Sequence, residues 1–360
     1  MKAAEEKESC NRMCNMNKNL LVKKNLDEIS FIRPILIVLL VLFHAFAPWC
    51  GGWRPFEGFQ ENSAYWWVGK LSYSFMLPTF VFISSYVFAY QRETLGKIEN
   101  VGQIVVKKFR RLIVPSILFS FLYIPLLPKS LFGGGNFIHD ILELLGGLGH
   151  MWFLPMLFWC FPLLYVLLKI GSFKIRFAIA LLLAIAPTLP LPLQIGTALT
   201  YLFYFLLGYE LYRNVEKIKN TNLILVWSLF LISFVGLTIL KSEIVDCITG
   251  NSIVSKLLRL STTNLATILY STFGVVAMLI TAIKYTSSKP LPHRVIKMGS
   301  YCFGVYIFQQ FILQIVYYHT SLPLYLGNEL LPWIGFMGTL VLSLILSYIV
   351  RSTRIGRNLI

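Results

Sequence analysis

Apolar residues run along this chain in long blocks separated by short polar gaps. A helix needs about 20 mostly apolar residues to cross a bilayer. Ten blocks approach that length, near residues 31–49, 71–90, 112–127, 148–168, 177–190, 196–212, 223–240, 264–283, 300–319 and 331–350. The third and fifth are the shortest and stop at Pro128 and Pro190. The pattern predicts an all-α, polytopic membrane bundle of about ten helices over residues 31–350. A mobile polar tail, 1–30, is expected before it and a short tail, 351–360, after it. No internal repeat shows, and no polar interval after residue 31 has room for an appended soluble domain. The first block follows a long polar tail and has no Ala-x-Ala site, so no cleaved signal peptide is expected.

The basic residues sort by gap. Taking alternate gaps together, 25 of the 32 Lys and Arg fall on one side and six on the other, with Arg33 inside the first block. Positive residues stay on the cytoplasmic side of a membrane. Both termini are therefore expected in the cytoplasm, and the number of spans should be even. Composition agrees: 56% of residues are hydrophobic, only 13% are charged, and mean hydropathy is +0.69. A soluble domain carries roughly 25% charge. The net charge of +16 would suggest nucleic acid in a soluble protein. Sorted by gap it is mostly topology, and no nucleic-acid partner is expected.

Ionisable residues inside spans are costly and usually functional. Arg33 and His44 are eleven residues apart, which brings them within about 20° on one helix face and roughly 16 Å apart along the axis. Arg33 sits at the cytoplasmic end, where a snorkelling anchor is the alternative role. His44 lies past the midplane; its alternatives are a packed histidine and a general base. Cys10 and Cys14 lack His or a second Cys pair, so no metal site is expected. Cys50 and Cys247 fall on the outer side, where a disulfide is open to them; burial as free thiols is the commoner fate.

Five segments carry a resemblance. They are Arg33 and His44 with ten residues between; Phe75-Met-Leu-Pro-Thr-Phe-Val-Phe-Ile-Ser-Ser-Tyr86; Lys107-Lys-Phe-Arg-Arg-Leu-Ile-Val-Pro115; His150-Met-Trp-Phe-Leu-Pro155; and Ser300-Tyr-Cys-Phe-Gly-Val-Tyr-Ile-Phe-Gln-Gln310. In this order they resemble the signatures of the acyltransferase 3 family, ten-helix membrane proteins that move acyl groups, commonly acetyl, onto sugars of surface polysaccharides and related acceptors. The likeness runs from about residue 26 through nearly the whole chain. Three positions depart from the family pattern: Ser85 where Gly is frequent, Gln309 where His is frequent, and Lys108-x-x-Arg111 for Arg-x-x-Arg. Lys holds phosphate without the bidentate fork of Arg.

The resemblance implies a bacterial cytoplasmic membrane, an acyl-CoA donor, acetyl-CoA above all, and no permanently bound cofactor. Arg33, Lys107, Lys108, Arg110 and Arg111 are then expected to hold CoA phosphates. The competing role for these cations is topology and attraction to anionic lipid. His44 is expected to act as base on the acceptor hydroxyl or to carry the acyl group; both remain open. On the outer side, His150, Trp152 and Gln309 are candidates for the glycan or lipid-linked sugar acceptor. Trp49, Trp53, Trp66, Trp67 and Trp333 read as an interface belt. His139, His293 and His319 read as incidental. Glu57, Glu61, Asp140 and Glu143 read as solvated loop carboxylates, and Gly133–Gly135 as a flexible loop. A transporter or flippase of a lipid-linked sugar is the alternative function, although the inverted repeats frequent in transporters are not visible.

Overall fold

The computed structural model describes residues 26–97, 99–127, 137–250 and 252–360. Most of the tail expected over 1–30, including Cys10 and Cys14, and the Gly133–Gly135 loop lie outside the described residues. The chain is all-helical among the described residues: α1 Asp27–Ala45, α2 Ser63–Glu93, α3 Val101–Leu126, α4 Phe137–Gly146, α5 Gly149–Leu168, α6 Phe173–Ile185, α7 Ile195–Arg213, α8 Leu223–Cys247, α9 Ile253–Ser288, α10 His293–Tyr318, α11 Leu322–Ser352 and α12 Arg354–Leu359.

Eight of these are long and apolar enough to cross a membrane: α1, α2, α3, α5, α8, α9, α10 and α11. The other two sequence blocks form α6, of only 13 residues, and α7, of 19. The polarity of α7 comes from four tyrosines, Glu210 and Arg213. Its Glu210 forms a buried ion pair at 2.8 Å with Arg176 of α6, so the two helices pack as a pair.

The starts of the long helices are written locally. The Asn62 side chain accepts from the backbone of Ala64 and Tyr65 ahead of α2, and Asn100 with Gln103 makes a reciprocal capping box ahead of α3. The central element is α2, with 72% of its apolar window buried, against 22% for α8 and α11. It packs on α1, α7 and α9. At its crossing with α7, a Cβ on Gly208 would stand 2.2 Å from the Phe82 carbonyl oxygen. Only glycine permits that approach, as in close helix pairs within membranes. In turn α1 packs on α10, α9 and α11, and α5 on α7 and α3. Cys50, Cys160, Cys247 and Cys302 are free thiols; the disulfide open to Cys50 and Cys247 does not form.

Candidate functional site

One cavity of about 1320 Å³ runs through the bundle. At one end it is lined by Arg33 of α1, by Lys107, Lys108, Arg110 and Arg111 of α3, and by Arg351 and Arg357. At the other it is lined by His44, Trp53, Arg54, Lys70, His150 and Tyr318. We call these the basic end and the far end. No Asp or Glu side chain lines the cavity among the described residues.

Local structure explains the basic end. The motif Phe109–Ile113 forms one π-helical turn within α3. Pro115 follows it and has no N–H to give to the Arg111 carbonyl, so the ladder loosens there; such turns recur at functional sites. Arg110 and Arg111 stay exposed on this turn, while Lys108 is half-buried, its Nζ 3.8 Å from the Phe161 ring centre. Arg33 lies near enough to Arg111 to repel it. Lys107 is spent on Glu99 at 2.8 Å. Two cations not foreseen join from the C-terminal segment. Arg351 donates to the Ser300 carbonyl, and Arg357 reaches the same mouth.

At the far end, His44 is 8% exposed and its Nδ1 has no hydrogen-bond partner. Chain residues 46–62 fold back over it. Gly52 and Trp53 both donate backbone N–H groups to the Ala47 carbonyl, at 2.8 and 3.2 Å. The turn delivers the Trp53 ring onto His44, stacked with centroids 5.7 Å apart. Trp53 therefore lines the cavity beside His44. Its sequence signal is only its position, eight residues after the end of α1.

His150 stands 6.4 Å from His44, centroid to centroid, edge on. Its surroundings are the reverse of those of His44. Its Nδ1 meets Gln310 Oε1 and its Nε2 meets the Ile307 carbonyl at 3.0 Å. Its backbone N–H also donates to Gln310 Oε1, at 2.7 Å, and its carbonyl accepts from the Tyr306 hydroxyl at 2.6 Å. Gln310 and Tyr306 thus tie the entry of α5 to α10. Gly149 makes this possible: it has φ +55°, and the Tyr123 ring fills the space a side chain would need.

Gln309 is fully buried and its amide approaches the His44 imidazole. Trp152 is half-buried and lines the cavity. His139, His293 and His319 are exposed and do not line it, nor do Glu57, Glu61, Asp140 or Glu143.

A family model described as an acyltransferase domain matches residues 26–352. The chain belongs to the acyltransferase 3 family. No curated protein and no solved structure matches it. The match and the apolar helices make it an integral membrane acyltransferase. Within this acyltransferase the two buried histidines differ in one chemical respect. Both ring nitrogens of His150 face oxygen acceptors, whereas His44 keeps a nitrogen free. A base needs a free lone pair, so His44 suits proton transfer and His150 suits positioning.

Proposed function

We propose that this acyltransferase moves an acetyl group from acetyl-CoA, bound at the basic end, to a sugar hydroxyl at the far end. The acceptor is a cell-envelope polysaccharide or its lipid-linked precursor. The basic end faces the cytoplasm, where CoA is made, and both termini lie there. The observation that carries the reading is the shared cavity, with a cluster of cations at one end and the free His44 nitrogen at the other.

Arg33, Lys108, Arg110 and Arg111 grip the CoA phosphates through charge-assisted bonds. The thiol arm then points along the apolar middle of the cavity, past Ile37, Leu40 and Leu77. At His44 the acceptor hydroxyl gives its proton to the imidazole. Its oxygen bonds the thioester carbonyl carbon, the C–S bond breaks, and the CoA thiolate takes up the proton. In the second route the acetyl group rests on His44 between donor and acceptor. Release of CoA as a burst without acceptor identifies that route.

The test is acetyl-CoA turnover by purified protein. His44→Ala should lower it by about 10²–10⁴-fold, and a correctly inserted, fully active variant sinks both routes. Mass spectrometry of the envelope polysaccharide, with and without the protein, identifies the acceptor by an acetyl difference. The same two-ended cavity also suits transport of a lipid-linked sugar; sugar movement without acetyl-CoA consumption would select that reading.

A further inference from the structure

The cavity has a second cationic region that the donor does not use. Of the nine Lys and Arg side chains lining it, seven gather at the basic end. The remaining two, Arg54 and Lys70, line the far end beside Trp53. They are also the only basic residues between the first two apolar blocks, in a gap where positive charge is disfavoured.

Both are held in place without being neutralised. The Tyr318 hydroxyl donates to the Arg54 carbonyl at 2.6 Å, and the Arg54 guanidinium carbon lies 4.7 Å from the centre of the same ring. The aromatic face supports the cation and leaves its N–H groups unpaired. Lys70 sits seven residues into α2, about 10 Å below its start, with Nζ 5.5 Å from the centre of the Trp66 ring. Lys241 of α8 lies near enough to repel it. Neither Arg54 nor Lys70 has an ion-pair partner among the described residues, although Glu57, Glu61 and Glu329 belong to the same end. Lys70 is thus an unpaired cation that faces the cavity from within a span, which marks a ligand path, and Arg54 joins it from the loop after α1.

We infer that Arg54 and Lys70 form an oxyanion subsite for the acceptor, which carries a phosphate or carboxylate close to the hydroxyl that is acylated. Arg54 supplies a bidentate fork and Lys70 a point charge. The oxyanion has two sources, the diphosphate of a lipid-linked saccharide or the carboxylate of a sugar acid. The inference rests on the acyl-transfer reading for its role, but not for its binding.

The experiment compares three probes on full-length protein in detergent: a neutral oligosaccharide, the same saccharide ending in a uronic acid, and the same saccharide on a polyprenyl diphosphate. Wild-type protein should prefer an anionic probe in kcat/KM. The Arg54→Gln, Lys70→Gln double variant should lose that preference by about 10–100-fold. Lys70→Arg should keep it within a few-fold and Arg54→Lys, which keeps the charge but not the fork, should lose less of it than the double variant, which separates charge from damage to the fold. The anionic probe that loses most names the source. No preference in wild-type protein overturns the inference, as does preference retained in the double variant or lost equally in the charge-keeping ones. Calorimetric binding of the anionic probes needs no turnover. Binding lost in the double variant, with no acetyl transfer by wild-type protein, removes the acyl-transfer reading and keeps the subsite.

Discussion

Gly149 is the point at which one methyl group should unsettle both the fold and the site. A Cβ there would stand 2.5 Å from Cε1 and 2.9 Å from Cζ of Tyr123, and 3.0 Å from Gln310 Oε1. The residue also holds φ +55°. For Gly149→Ala the left-handed backbone costs about 1–2 kcal/mol. Crowding the Tyr123 ring, which is only 2% exposed, costs about 1–3 kcal/mol. The sum is about 2–5 kcal/mol, read as a shift in the SDS unfolding midpoint in mixed micelles. The crowding part depends on Tyr123 and the backbone part does not. A double-mutant cycle with Tyr123→Ala should therefore return a coupling of about 1–3 kcal/mol that favours the double variant. A Gly149→Ala loss below about 1 kcal/mol, or a coupling near zero, refutes the steric account. Since Gln310 Oε1 orients His150 by two contacts, acetyl transfer by the folded fraction should fall as well.

Breaking the buried Arg176–Glu210 pair by Glu210→Ala should destabilise the protein by about 3–5 kcal/mol, and adding Arg176→Met should restore most of it; unfolding in mixed micelles measures both. Arg111→Ala should raise the KM for acetyl-CoA by about 10-fold or more through a lost charge-assisted bond, and an unchanged KM removes Arg111 from the donor site. Trp53→Ala removes a stacked ring worth about 0.5–1.5 kcal/mol. It should lower kcat/KM by roughly 2–10-fold; no change in steady-state rates would return Trp53 to a belt role.

How far the sequence could be read depends on how local each feature is. The Arg33–His44 alignment follows from helical periodicity alone, and α1 preserves it. The block expected at 112–127 is the lower part of a longer helix. It begins at Val101 because α3 continues through the basic run that looked like its boundary. The blocks at 177–190 and 196–212 were apolar enough to suggest two spans. In α6 and α7 their length and polarity fall short, and the Arg176–Glu210 pair that joins them spans 34 residues. At the site, His150 was legible from its motif, but its fixed ring depends on Gln310, 160 residues away. The place of Trp53 at the cavity is not legible in the sequence, because a tryptophan beside a span reads ordinarily as an interface residue. Its stacking on His44 depends on how 46–62 turns back, which hydropathy does not encode.

The nine cations of the cavity have a consequence for the cell's energy supply. A cavity joining both ends of a membrane bundle, once filled with water, would be a route by which protons and sodium ions discharge the membrane potential. Each fixed positive charge repels a monovalent cation by about 1.7 kcal/mol at 10 Å in an effective dielectric of about 20. Several act together here, and of the nine only Lys107 is paired with a carboxylate, Glu99, among the described residues. A lining of one sign admits organic anions and turns inorganic cations away, as arginine-lined constrictions do in selective pores. Under the proposed donor and acceptor roles, such a lining would open the path to a bulky anionic substrate and still keep the bilayer insulating.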